Sequence, residues 1–216
     1  MASSSASEAG GAGFPPVALI EGAEATLCEA ALAELRERIL GDGPRDFNED
    51  RFDLAAAGAD ASRVLAAART HPVMAPGRLV YVRGLADRKA ARFLEQDLPA
   101  YLEDPSPTTC LVLELAKADR RLKWVKQVIA AGERIDCSGP RRPAELRAWV
   151  EQRLKSVGLR AERGAAAALV ELVGADVDQL ALEVEKLCCT PGSRRRWAPT
   201  TCPRSRGSFA RSRFTN

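Results

Sequence analysis

Short, wholly apolar runs alternate with amphipathic stretches over the first two thirds of the chain. Residues 17–20 (VALI) close at Glu21-Gly22, and residues 79–82 (LVYV) and 109–115 (TCLVLEL) have the same character. Runs this short, apolar at nearly every position and bounded by turn residues, predict strands buried on both faces. The stretches between them have helical period. Leu27, Ala31, Leu35 and Ile39 share one face at fourfold spacing, with Glu34, Glu37 and Arg38 mainly elsewhere, until Gly41-Asp42-Gly43-Pro44 stops the helix. Residues 47–52 form a candidate short strand. Asp60 or Ser62 can cap a helix leading to Thr70. Asp87 can cap another whose Leu94, Leu98, Tyr101 and Leu102 face inward, although Pro99 should bend or divide it. Asp119 can cap a helix with Leu122, Val125 and Ile129 on one side, ending at Gly132 where a left-handed residue is wanted. Residues 134–137 read as a last short strand.

Strands alternating with helices from residue 17 to 137 predict an α/β domain with a mainly parallel sheet covered on both faces. From Arg142 onward only helical patterns remain, at residues 143–157, 162–173 and 176–187, the last with Val177, Leu180, Val184 and Leu187 spaced three and four apart. The expected organisation is a disordered tail over residues 1–14, an α/β domain over 15–140, a small helical domain over 141–189, and an aberrant arginine-rich tail over 190–216.

The corner before the second buried strand, RTHPVMAPGRLVYVRG at residues 69–84, stands out. Val73 and Met74 sit between Pro72 and Pro76, whose rings keep the backbone from folding back into helix. The pair either covers the end of a neighbouring strand or is displayed as a contact surface.

Composition narrows the classes. The 216 residues are 46% hydrophobic and 28% charged, enough for a buried core. The formal charge of +3 misleads, because residues 191–216 carry seven arginines and no acid; subtracting them leaves −4 on the rest. The first thirteen residues lack the basic start and apolar run of a signal peptide, and no segment is apolar for long enough to span a bilayer, so a cytoplasmic protein with no membrane partner is expected. Six cysteines lack metal-ligand spacing and read as reduced, mostly buried thiols, and the single histidine, His71, belongs to no motif. No metal is expected. Trp124 and Trp149, on helices with apolar neighbours, read as core or domain-interface packing. The five basic residues between Lys117 and Lys126 are explained by a solvated helix face at least as well as by DNA phosphates.

The first strand and helix stand where a P-loop would, yet Glu21-Gly22-Ala23-Glu24-Ala25-Thr26 has no Gly-Lys-Ser/Thr to wrap phosphates and hold magnesium. Glu21 and Glu24 would repel a triphosphate. An acid to hold magnesium would follow an inner strand, but Val82 is followed by Arg83-Gly84. No Ser-His-Asp, Cys-His or paired-carboxylate arrangement is present. The scaffold is that of a nucleotide hydrolase without the chemistry: no catalytic residue and no cofactor are expected.

Six segments taken in order carry a resemblance: VALIEGAEATLCEAAL, DFNEDRFD, RTHPVMAPGRLVYVRGLAD, TTCLVLELAKADRRLKWVKQV, AELRAWVEQRLKSVGL and GADVDQLALEVEKL. Together they resemble the delta subunits of the bacterial DNA polymerase III clamp loader, over residues 17–187. The resemblance implies a RecA-like domain and a helical lid, as in AAA+ proteins, in a subunit that does not itself hydrolyse ATP. Where AAA+ ATPases often carry a phosphate-contacting arginine at the start of the last lid helix, the matching position here is Asp178. It further implies that Val73 and Met74 insert into a hydrophobic pocket of the ring-shaped sliding clamp (beta subunit) and help open it. Both side chains are smaller or softer than the aromatic or leucine residues usual there, which implies reduced affinity. Implied partners are the clamp, the other clamp-loader subunits, and DNA indirectly through the complex, within a DNA-directed DNA polymerase (nucleotidyltransferase) holoenzyme.

The family continues into a helical collar domain, whereas residues 190–216 have no helical period and a composition that cannot form a packed core. Codons for Trp197 to Cys202, read one base earlier with G or C at the free positions, permit Val-Gly-Ala-Asp-Asp-Val, which looks like the family's continuation. A frameshift near Thr190 is the expectation, with contacts to the other loader subunits weakened or lost. Two rival classes stay open: a divergent AAA+ or P-loop-like NTPase, and a nucleic-acid binder acting through its basic tail.

Overall fold

Strand β1 (Val17–Glu21) is buried at all five positions because it is flanked on both sides within the sheet and covered on both faces. The computed structural model describes residues 13–159 and 162–189. The expectations for residues 1–12 and 190–216, including the frameshift, lie outside the described residues. Strands β2 (Glu49–Asp53), β3 (Arg78–Arg83), β4 (Thr109–Leu115) and β5 (Glu133–Asp136) join β1 in a five-stranded sheet of order β2-β3-β4-β1-β5, with every pair parallel.

The register places Val17, Leu111 and Val80 side by side, and the two-residue period of a strand then sends alternate residues to opposite cores. Val17, Leu19, Val80, Val82, Leu111 and Leu113 face one layer; Ala18, Ile20, Leu79, Tyr81, Cys110 and Val112 face the other. The second layer is covered by α1 (Ala25–Leu40), which contributes Leu32, Leu35, Ile39 and Leu40. The first is covered by α3 (Ser62–Ala68), residues 93–103 and α5 (Lys123–Ala131). Phe14 is buried in the second layer. Burying a large aliphatic side chain contributes about 1.5–3 kcal/mol, so each such position on the double-sided inner strands is a large contributor to stability. Edge strand β2 is fastened to α1 by a bidentate ion pair, with Arg36 Nε and Nη2 donating to the Glu49 carboxylate at 2.6 and 2.8 Å.

Three local expectations change and one holds. Residues 45–48 form a single helical turn, α2 (Arg45–Asn48), and the strand starts only at Glu49. The helix carrying Pro99 is divided, as expected: residues 93–97 form a widened turn with the Leu98 N–H donating to Phe93 O, and α4 (Leu98–Glu103) follows. A proline near the start of α4 needs no N–H partner, so the break falls just before it. Asp119 does not cap α5; its Oδ1 accepts the Arg121 N–H, the helix starts at Lys123, and Trp124, Val125 and Val128 are buried while Leu122 is exposed. Gly132 is extended (φ −150°), not left-handed; a Cβ there would meet the Val17 carbonyl oxygen at 1.8 Å.

The chain divides into two compact units at Gly139 and Pro140. In the second, α6 (Pro143–Ser156), α7 (Ala165–Val173) and α8 (Val177–Cys189) bury Leu146, Val150, Leu154, Leu169, Leu180 and Val184. An Arg153 to Glu185 ion pair at 3.2 Å ties α6 to α8.

Candidate functional site

Because the sheet is parallel, every strand starts at one edge and ends at the other, and the two edges differ in chemistry. At the starting edge, the chain leaves α3 through a corner that enters β3. Val73 is 48% exposed and Met74 87% exposed, so the pair faces largely outward. Among the described residues, Met74 is the one non-glycine residue with positive φ (54°), a conformation that costs an L-residue about 1–2 kcal/mol and persists where the surroundings over-determine it.

Those surroundings are explicit. Asn48, fully buried, brackets the backbone of Val73: its Oδ1 accepts the Val73 N–H at 2.6 Å and its Nδ2 donates to Val73 O at 2.8 Å and to Pro44 O at 2.7 Å. Ala75 lies against Gly43, where a Cβ would come within 2.4 Å of the alanine methyl. Buried Arg78 locks the base of the corner, donating to Asp50 Oδ2 at 2.5 and 3.1 Å and to Phe47 O at 2.8 Å. An apolar pair is thus held out on backbone pinned from beneath. Asn48 and neighbouring Phe47, 63% exposed, were not expected here, since the sequence reading placed both inside a strand. The available signal was an Asn ahead of the strand, a residue whose amide competes for backbone partners.

At the finishing edge, the strand-end carboxylates are paired internally. Glu21, at the end of β1, is 8% exposed; its Oε2 accepts from Arg134 Nε at 2.6 Å, its Oε1 accepts the Ala118 N–H at 3.1 Å, and Arg120 lies 3.9 Å away. Burial alone would raise this carboxyl. The hydrogen bonds from Arg134 and Ala118, with the two arginine charges, outweigh it and hold the group below its ordinary value. A carboxylate therefore occupies the arginines at the very turn where a phosphate would need them. A cleft of about 310 Å³ lies at the ends of β3 and β4 and is lined by Asp53, Arg83, Gly84, Glu114 and Leu115. Its charges are also committed, Arg83 to Asp53 at 3.0 Å and the Tyr81 hydroxyl to Glu114. Burial, then the hydrogen bond to Glu114 and that group's charge, raise the tyrosine well above its ordinary value. Among the described residues no cluster of His, Cys, Asp and Glu is placed to hold a metal ion. Cys110 is buried, which pushes its thiol up to about 12, so it is no nucleophile. Trp124 packs in the core, Trp149 is half-buried, and the basic residues from Lys117 to Lys126 are exposed.

Residues 19–137, more than half of the chain, match the family described as DNA polymerase III, delta subunit. The chain belongs to that family. The DNA polymerase III subunit delta of Bacillus subtilis is 28% identical over 192 residues, covering 83% of this chain and 53% of the relative. The chain thus spans about half the length of the curated relative it matches. Among solved structures, the Bacillus subtilis DNA clamp loader delta protein superposes with a TM-score of 0.65 at 24% identity, over 87% of this chain and 57% of the other. The Thermotoga maritima RuvB Holliday junction branch migration motor follows with 0.51 at 10% identity, over 81% and 54%. These likenesses establish the RecA-like, AAA+ type of fold for this delta-family chain. No helix among its described residues is long and apolar enough to cross a membrane.

Proposed function

We propose that this chain acts as a clamp-loader delta subunit of the DNA polymerase III holoenzyme, binding and opening the sliding clamp during replication in the cytoplasm, without hydrolysing ATP itself. The observation that carries the reading is the pinned corner: in a delta-family chain, Val73 and Met74 are presented to solvent on backbone held by a buried asparagine. Small apolar groups on a rigid support suit a hot spot, because little entropy is lost on docking, and methionine adapts to a preformed pocket. Glu21, already paired with Arg134, supports the absence of nucleotide chemistry. The other loader subunits are the further partners, DNA is met through the complex, and the chain is an accessory subunit of the polymerase, not its catalyst.

The test is binding of the purified chain to an immobilised sliding clamp from the same organism. Wild type should bind, and Val73→Ser with Met74→Ser should weaken binding tenfold or more, since two apolar side chains lost from an interface remove on the order of 2–4 kcal/mol. Equal affinity of wild type and double variant would overturn the reading. Calorimetry with Mg-ATP should give neither binding nor turnover; micromolar binding with hydrolysis would favour the divergent NTPase.

A further inference from the structure

The two residues of the exposed pair are not held by their own segment. Val73 offers no side-chain hydrogen bond, Met74 sits at positive φ, and the fixed partner of the Val73 N–H and C=O is the Asn48 side chain, 25 residues away in sequence. Asn48 is fully buried, and its three hydrogen bonds all go to backbone, two to Val73 and one to Pro44. A buried side-chain amide bonding both polar groups of one residue mimics a strand neighbour, and it sets where that residue's Cα points. The segment that carries Asn48 also carries Phe47. Of the described phenylalanines, Phe14 and Phe93 are buried and Phe52 is half-buried, whereas Phe47 is 63% exposed. The Phe47 carbonyl is fixed by Arg78, the first residue of β3, so the ring is exposed on backbone as firmly held as the pair itself. Exposed aromatics on ordered backbone are enriched at protein interfaces, where they add contact area at low entropic cost.

We propose that residues 44–48 are the second half of the clamp contact: Asn48 is the positioning residue that keeps Val73 and Met74 projecting, and Phe47 adds its ring to the same surface. This rests on the reading of Val73 and Met74 as the clamp-binding pair. The partner is therefore the same sliding clamp, met by an apolar patch of three side chains from two segments instead of one.

Clamp affinity of the full chain, measured for Asn48→Ala, Phe47→Ser, Val73→Ser/Met74→Ser and the triple combination Asn48→Ala/Val73→Ser/Met74→Ser, tests it. At a temperature where each variant is folded by circular dichroism, Asn48→Ala should lose roughly tenfold and Phe47→Ser roughly five- to tenfold. In the Ser/Ser background Asn48→Ala should cost no further affinity, although its effect on thermal stability persists; a purely structural role would move stability alone. Amide exchange in the free wild-type chain gives a readout that does not depend on the variant folding. The Val73 N–H should be protected well beyond an exposed loop amide. Loss of binding in the Ser/Ser variant with wild-type affinity for Asn48→Ala and Phe47→Ser would overturn this inference while leaving the clamp reading intact. Wild-type affinity in the Ser/Ser variant would overturn both, and an unprotected Val73 amide would by itself remove Asn48 from the positioning role.

Discussion

The two edges of one parallel sheet differ in where their polar pairs lie and in what those pairs leave exposed. At the finishing edge, where α/β proteins of this topology usually place ligands, the carboxylates at the ends of β1, β2 and β4 are bound to Arg134, Arg83 and Tyr81. At the starting edge, polar groups are also paired, but the pairs lie underneath, and what they leave outside is apolar: Phe47, Val73 and Met74. An edge whose carboxylates are already paired with arginine and tyrosine side chains is held together in part by those pairs. An edge whose hydrogen bonds are spent on backbone can display hydrophobic side chains without collapsing onto them. Changes at the finishing edge should therefore cost stability, and changes at the starting edge should cost binding.

The largest stability effect is expected at Arg134. Arg134→Met keeps the apolar stem but leaves Glu21 buried with only the Ala118 N–H and the more distant Arg120. Breaking a largely buried ion pair from one side leaves an uncompensated charge, at a cost of about 3 kcal/mol here, at the low end for buried pairs because Arg134 is partly exposed. Urea unfolding at pH 7 would measure it, and a loss below about 1 kcal/mol would mean that the finishing edge is not held by its charges. ATP binding should not appear in the variant, because removing an arginine makes no phosphate site.

Next in size is the response to acid. Glu21 and Glu49 are both held below their ordinary value of 4.5, Glu49 because the hydrogen bonds and charges of Arg36 and Arg51 outweigh the burial that would raise it. For a carboxyl whose folded pKa is depressed, the stabilisation is complete above the unfolded value and is lost as pH falls through the folded one. Stability should thus be level from neutral pH down to about 5.5 and then fall, each group contributing up to about 1.4 kcal/mol per pH unit. Arg134→Met sharpens the comparison. With its main partner gone, burial pushes the Glu21 carboxyl upward, so the cost of the substitution should shrink as acid protonates the group. A cost independent of pH between 4 and 7 would show that Arg134 acts by packing and not by charge.

Most of the fold could be read from apolar runs because β1, β3 and β4 are buried on both faces, where no polar position interrupts the pattern. The corner was legible for a similar reason, since Pro72 and Pro76 exclude helix and Leu79 must start a strand. What escaped was local competition between side chains and backbone. Phe47 and Asn48 resemble strand residues, yet the Asn48 amide closes a turn onto Pro44 O and makes that segment helical. Asp119 looks like a helix cap, but it bonds the Arg121 N–H, which moves the start of α5 onward and leaves Leu122 exposed ahead of it. The buried Arg36 was hidden because its partner, Glu49, lies on another element. Hydrogen bonds of this kind have no period, so hydropathy cannot reveal them.

The smallest expected effect isolates the starting edge. The Met74 side chain is 87% exposed, so deleting it removes almost no burial in the free chain, and what remains is its backbone at φ 54°. Alanine there keeps the steric cost of a Cβ in the left-handed region. Glycine relieves that cost of about 1–2 kcal/mol but adds about 0.5–1 kcal/mol of chain entropy to the unfolded state. Met74→Gly should therefore be as stable as Met74→Ala or up to about 1.5 kcal/mol more stable, the reverse of the order found at ordinary negative φ. Both variants should lose clamp affinity to a similar degree, because both lack the side chain proposed to dock. Chemical denaturation separates the outcomes: a Met74→Ala chain clearly more stable than Met74→Gly would show that the left-handed corner relaxes in solution, and that the pair is not held out by the buried asparagine beneath it.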